Sequence, residues 1–161
     1  MNVIESFFIL NDIPLWFFVF ILVVSLIFLC LFRKIDLCFL IVYSLFILGE
    51  TLLFRKPNIN VSHHFDIFWS YKEIAVYWKE IVSNFLIFIP FGFVLSRFVG
   101  WKSVIISLLF SLIIELIQLI ALLGVFEIDD IIHNVLGAFM GSFINILIIG
   151  RILKIKGKKD K

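Results

Sequence analysis

Residues 15–32, LWFFVFILVVSLIFLCLF, contain no charged side chain. About 20 apolar residues in a helix cross the ~30 Å hydrocarbon core of a bilayer, so this run is long enough to span it. Comparable runs follow at residues 37–54, 81–99, 103–125 and 131–150. The expected fold is therefore all-α, a polytopic membrane helix bundle of five transmembrane helices forming one domain over residues 1–161. A soluble domain is about half apolar, whereas this chain is 63% hydrophobic, with 21 Phe and a mean hydropathy of +1.17. The spans leave no length for a separate soluble domain.

The segments between the spans carry their own signals. Residues 1–14 form an apolar lead-in, where Asn11 or Asp12 followed by Pro14 suits a helix start. No basic region precedes the first run, which reads as a retained helix rather than a cleaved leader. In the long connection over residues 55–80, Ile74, Tyr77, Trp78 and Ile81 repeat at helical spacing. That pattern predicts an outer interfacial amphipathic helix between spans 2 and 3, with Trp69 and Trp78 at headgroup depth. Pro90-Phe91-Gly92 interrupts the third span. A proline there predicts a kink that frees the Leu86 carbonyl, either as a packing bend or as a partly unwound site segment.

Basic residues set the orientation. Alternating spans group Arg33, Lys34, Arg97, Lys102 and the tail residues Arg151, Lys154, Lys156, Lys158, Lys159 and Lys161 on one side. Arg55, Lys56, Lys72 and Lys79 fall on the other. The positive-inside rule places the N-terminus outside and the basic tail, residues 151–161, in the cytoplasm of a bacterial cell. This use of basic residues speaks against nucleic acid as a partner. Cys30 and Cys38 then lie at the reducing face, where they are expected as unpaired packing residues.

Polar groups inside such spans are costly and mark candidate sites. Glu50 is about 6 Å from the outer end of its span by helical rise, and Asn84 is comparably shallow. Gln118 is expected about 10 Å and Glu115 about 15 Å below the outer end of the fourth span. Asp129, Asp130, His133 and Asn134 open the fifth span. All belong to one outer-half layer supplied by four helices.

Glu115 and Gln118 share a helix face, as a site or as a structural clasp between helices. Asp129 and Asp130 suit the positive end of a helix. Asp130, His133 and Asn134 converge at i, i+3 and i+4, a spacing open to acid–base work or metal ligation, although no metal is assigned. Gly137, Ala138, Gly141 and Asn145 continue that face, and Gly137 with Gly141 permits close approach of another helix. Glu50 has Arg55 as a candidate partner, while His63 and His64 read as solvated loop residues. No phosphate loop, zinc-type cysteine spacing or nucleophile elbow is present, so no nucleotide is expected as a partner, and the sequence names no cofactor either way.

Four pieces in order resemble the VanZ family of bacterial membrane proteins, named for a teicoplanin-resistance determinant. They are TLLFR at residues 51–55, NFLIFIPFGFVLS at 84–96, IELIQ at 114–118 and FEIDDIIHNVLGAFMG at 126–141. Many members carry a basic residue just before the Phe-acid-x-Asp-Asp run, where this chain reads Leu123-Gly124-Val125. If that cation balances the acids in relatives, Arg55 is a candidate to replace it. The resemblance implies a role in glycopeptide tolerance or envelope physiology.

The leading expectation is an outer-leaflet polar pocket for a membrane lipid or a lipidated antibiotic, with Glu50, Arg55, Asn84, Gln118, Asp129 and Asn134 binding it. The first alternative is an enzyme acting on a lipid headgroup or a lipid-linked cell-wall precursor through Glu115, Asp130 and His133. The second is a small transporter or assembly factor. The sequence sets no oligomeric state.

Overall fold

The structure, a computed structural model, describes residues 15–31, 36–53, 63–64, 66–124 and 126–149. Helix α1 is Leu15–Leu31, and α2 is Asp36–Leu48, which widens into a π-helical turn over Gly49–Leu53. A 3-10 turn, Trp69–Glu73, leads directly into α3, Ile74–Val99. Helix α4 is Lys102–Ile120, and α5 is Ile128–Phe143, again with a π-helical extension, Ile144–Ile149. Strand β1, His63–His64, pairs in parallel with β2, Phe126–Glu127, in the register His63 to Phe126 and His64 to Glu127. This pairing was not anticipated. It clips the long connection to the α4–α5 link.

Three described helical stretches, Tyr77–Val99, Lys102–Ile120 and Ile128–Leu147, are long and apolar enough to cross a membrane. Lipid is apolar, so a helix in a membrane can expose its apolar face and turn its polar face inward. Helix α4 does so. Ser103, Ser107, Ser111, Glu115 and Gln118 are buried, while Ile105, Leu109, Ile113, Leu116 and Ile120 are exposed. On α5, Asp129, Asp130, His133, Asn134 and Ser142 are buried, and Leu136, Phe139, Met140 and Phe143 face outward.

Helices α3 and α5 meet backbone to backbone. A Cβ on Gly137 would overlap the Phe85 carbonyl oxygen, and one on Gly141 the Ile89 carbonyl oxygen. From the other side, a Cβ on Gly92 would overlap the Ala138 backbone. The expected close approach at Gly137 and Gly141 is thus to α3, and it works because the facing positions are also small or backbone. Ser142 completes the contact by donating to the carbonyls of Gly92 and Ala138 at 3.1 and 2.8 Å.

Pro90 lies inside α3, which continues through it as a helix. The Tyr43 hydroxyl of α2 donates to the Ile87 carbonyl at 3.0 Å, one residue on from the Leu86 carbonyl expected to be freed. Tyr43 and Ile47 join Ile87, Phe88, Phe91, Leu95, Ile114 and Ala138 in the apolar core. At the opposite end of α3, Arg97 donates to the Asp36 carboxylate at 2.5 Å and lies over the Phe93 ring. That pair ties the start of α2 to the end of α3.

Several boundaries differ from expectation. The amphipathic stretch Ile74 to Ile81 runs without a break into the third span, as expected, and its first turns fix the start of that helix at Ile74. Helix α4 ends at Ile120 rather than near residue 125, because the Leu123 N–H returns to the Gln118 carbonyl at 2.9 Å with Leu122 left-handed at φ 56°. That closure normally uses glycine at the left-handed position. The fifth helix begins at Ile128, so Asp129 and Asp130 lie in its first turn. Cys38 is a free, exposed thiol, while the side chains of Cys30, His63, His64 and Trp69 are outside the described ones. Residues 1–14, Arg33, Lys34, Arg55, Lys56 and the basic tail also lie outside the described residues.

Candidate functional site

The buried face of α4 is built by spacing alone. Ser103, Ser107, Ser111 and Glu115 recur every four residues, and Gln118 follows at three, which keeps all of them on one stripe. The serines pack against α5. Ser103 and Ser142 hydroxyls lie 2.7 Å apart, and the Asn134 amide donates to Ser111 Oγ at 2.9 Å. Deeper along the bundle, the Asn145 amide donates to Ser96 Oγ at 2.9 Å.

Glu115 is only 2% exposed and accepts the Glu127 backbone N–H at 3.1 Å. It therefore holds the strand that enters α5. One turn on, Gln118 donates its amide to the Thr51 carbonyl at 2.8 Å. Thr51 sits in the π-helical turn ending α2, and its hydroxyl donates to the Ile47 carbonyl. Widened turns of this kind leave carbonyls open to side-chain donors and recur at functional sites.

Asp129 does not cap its own helix. Its carboxylate accepts the Phe68 N–H at 2.6 Å, the Ser70 N–H at 3.1 Å and the Ser70 hydroxyl at 2.6 Å. It thus supplies from α5 the cap of the 3-10 turn Trp69–Glu73. Phe68 is left-handed, at φ 64°, a conformation that costs a non-glycine residue about 1–2 kcal/mol. The same turn places the Tyr71 hydroxyl 2.9 Å from His133 Nε2, with the two rings 5.7 Å apart. Asp130 is buried on the same helix face as Asn134.

The structure therefore joins Glu115 to the strand entering α5, Asn134 to Ser111, Gln118 to Thr51 of α2, and Asp129 and His133 to Ser70 and Tyr71 of the turn before α3. Glu50 and Asn84 are half-buried, and their side chains make no hydrogen bond with another described residue. Because α4 stops at Ile120, Glu115 is five residues, or about 7.5 Å by helical rise, from the helix end rather than about 15 Å. Ser70, Tyr71, Ser103, Ser107, Ser111 and Ser142 were missed by sequence reasoning. The four-residue serine spacing leading into Glu115 was a signal for three of them.

Chemically, the site presents buried carboxylates, an imidazole beside a phenol, and two amides. Three buried atoms in it lack a hydrogen-bond partner among the described residues: Gln118 Oε1, Asn134 Oδ1 and His133 Nδ1. No group of three His, Cys, Asp or Glu side chains among those residues is arranged to hold a metal ion.

Comparison with known proteins places this architecture. No solved structure matches the chain. Protein VanZ of Enterococcus faecium is 38% identical over 69 residues, a match covering 39% of this chain and 42% of that protein. The VanZ/LLP1 family model matches residues 15–149, which takes in every described helix. The chain belongs to the VanZ/LLP1 family.

Proposed function

We propose that this VanZ-like membrane protein binds a lipid or lipidated ligand in the polar face between α4 and α5, and that binding contributes to glycopeptide tolerance or envelope homeostasis. One observation carries the reading. The fully buried stripe of α4 ends in Glu115 and Gln118 near the helix terminus, facing Asn134 and the acidic first turn of α5. Headgroup chemistry takes place at that depth, and polar groups at membrane depth are rarely kept without use.

In this reading α1 and α2 also cross the bilayer, making five spans. The N-terminus is outside and the C-terminus cytoplasmic, which puts the candidate site in the outer leaflet. The Arg97–Asp36 pair supports that arrangement by joining two ends assigned to the same side. The test is photo-crosslinking in intact membranes with a lipid carrying a diazirine in its headgroup region. Labelled peptides should come from residues 111–118 and 127–134. Labelling confined to outward residues such as Ile105, Leu109 and Phe139 would instead describe ordinary annular lipid.

A further inference from the structure

Resting on that reading of the pocket, we infer that its ligand carries an ammonium group, and that this group occupies the polar face between α4 and α5. Gln118 is 1% exposed, and its amide nitrogen must be the atom facing the Thr51 carbonyl, because a carbonyl only accepts. Its Oε1 is therefore fixed as an acceptor, and it has no donor among the described residues. Asn134, 4% exposed, joins Ser111 Oγ through one end of its amide, and because a hydroxyl both donates and accepts, the other end is open as an acceptor or a donor. Buried polar groups are nearly always satisfied, so the orphan Gln118 acceptor marks a position for a donor.

Both amides border the polar stripe of α4, Asn134 at Ser111 and Gln118 two helical turns further on. On α4, Ser111, Glu115 and Gln118 follow at i, i+4 and i+7, so Glu115 lies between the residue Asn134 binds and Gln118. On α5, Asp130 lies one turn before Asn134 on the buried face. The donor called for thus sits in an acidic setting. Residues 103–150 contain Glu115, Glu127, Asp129 and Asp130 and no Lys or Arg. Carboxylates and amide oxygens together favour a charged donor over a neutral hydroxyl, since charge-assisted hydrogen bonds are roughly twice as strong. They disfavour a phosphate or carboxylate in the same position.

Two sources offer this chemistry: an ethanolamine-type lipid headgroup and the free amine of a lipidated peptide. The experiment measures binding to the full chain in detergent by native mass spectrometry. Its probes are phosphatidylethanolamine, N-acetyl-phosphatidylethanolamine, phosphatidylglycerol, a glucosyl diacylglycerol and palmitoyl-lysine amide. At least one ammonium probe should bind about tenfold or more tightly than the acetylated lipid, which keeps one N–H but has lost the charge that strengthens bonds to carboxylates. Whichever ammonium probe binds identifies the source. Gln118→Met and Glu115→Gln should reduce the preference, with thermal melting confirming that each variant is folded. The acetylated probe tests the same point on the ligand, so the result stands even if a variant fails to fold. Equal binding of the acetylated, glucosyl or phosphatidylglycerol probes overturns the ammonium assignment and leaves the pocket reading intact. No saturable binding of any probe overturns both.

Discussion

Asp129 binds a segment 59 to 61 residues upstream, and that one side chain decides how the turn before α3 is held. Each hydrogen bond to a buried carboxylate contributes about 1.5–3 kcal/mol, and the carboxylate also supports the left-handed Phe68. Asp129→Ala should therefore cost about 3 kcal/mol or more and release Tyr71 from His133, read as a drop in melting temperature in detergent. Leu122 presents the opposite case. It occupies a left-handed closing position with a side chain that disfavours it, so Leu122→Gly should stabilise by about 0.5–1 kcal/mol in the same assay. Neither feature could be read in advance. The acids of Asp129-Asp130 were visible, but nothing local marks which distant N–H groups a carboxylate will accept. The end of α4 was misplaced because no glycine stands at residue 122 to announce it.

At the scale of elements, the contact between α3 and α5 orders the bundle. The overlaps at Gly92, Gly137 and Gly141 involve backbone atoms, which cannot move aside as a side chain can. Gly137→Ala and Gly141→Ala should each destabilise by about 1–3 kcal/mol or lower the folded yield, whereas Leu136→Ala on the outward face should have little effect. Ser142→Ala removes one bond across that seam, to Gly92, and one to Ser103 of α4, and in membranes such bonds average about 0.6 kcal/mol, so its loss should be small beside the glycine variants. This seam was legible, since Gly137 and Gly141 are spaced for close helix approach. Its partner was not, because a small-residue motif states that a helix will approach without naming which one. The serine stripe of α4 was equally open to reading by its four-residue period. It was passed over because single serines in an apolar run are cheap and common, and only their alignment with Glu115 and Gln118 gives them meaning.

For the whole molecule, apolar residues outside and a polar stripe within follow from one solvent argument, and composition alone pointed to it. A set of polar groups between helices was also expected, and Asn134 bonds Ser111, Glu115 accepts the Glu127 N–H and Gln118 reaches Thr51 of α2. Glu50 and Asn84 add no side-chain hydrogen bond to it among the described residues, since depth in a span fixes height but not which way a side chain faces. The orientation is tested by cysteine-accessibility labelling: a cysteine placed in the tail at Lys159 should be protected from an impermeant reagent in intact cells, and ready labelling from outside would invert the proposed topology. The most direct measurement of the central claim concerns the carboxyls. Glu115→Gln and Asp130→Asn keep size and hydrogen-bonding shape while removing charge, and both are to be compared with the wild type for membrane abundance, melting temperature and protection of a sensitive host against a teicoplanin-like drug. The account predicts folded, abundant variants with protection lost. Folded variants that protect fully would show that the polar face between α4 and α5 is a helix clasp and not a binding site.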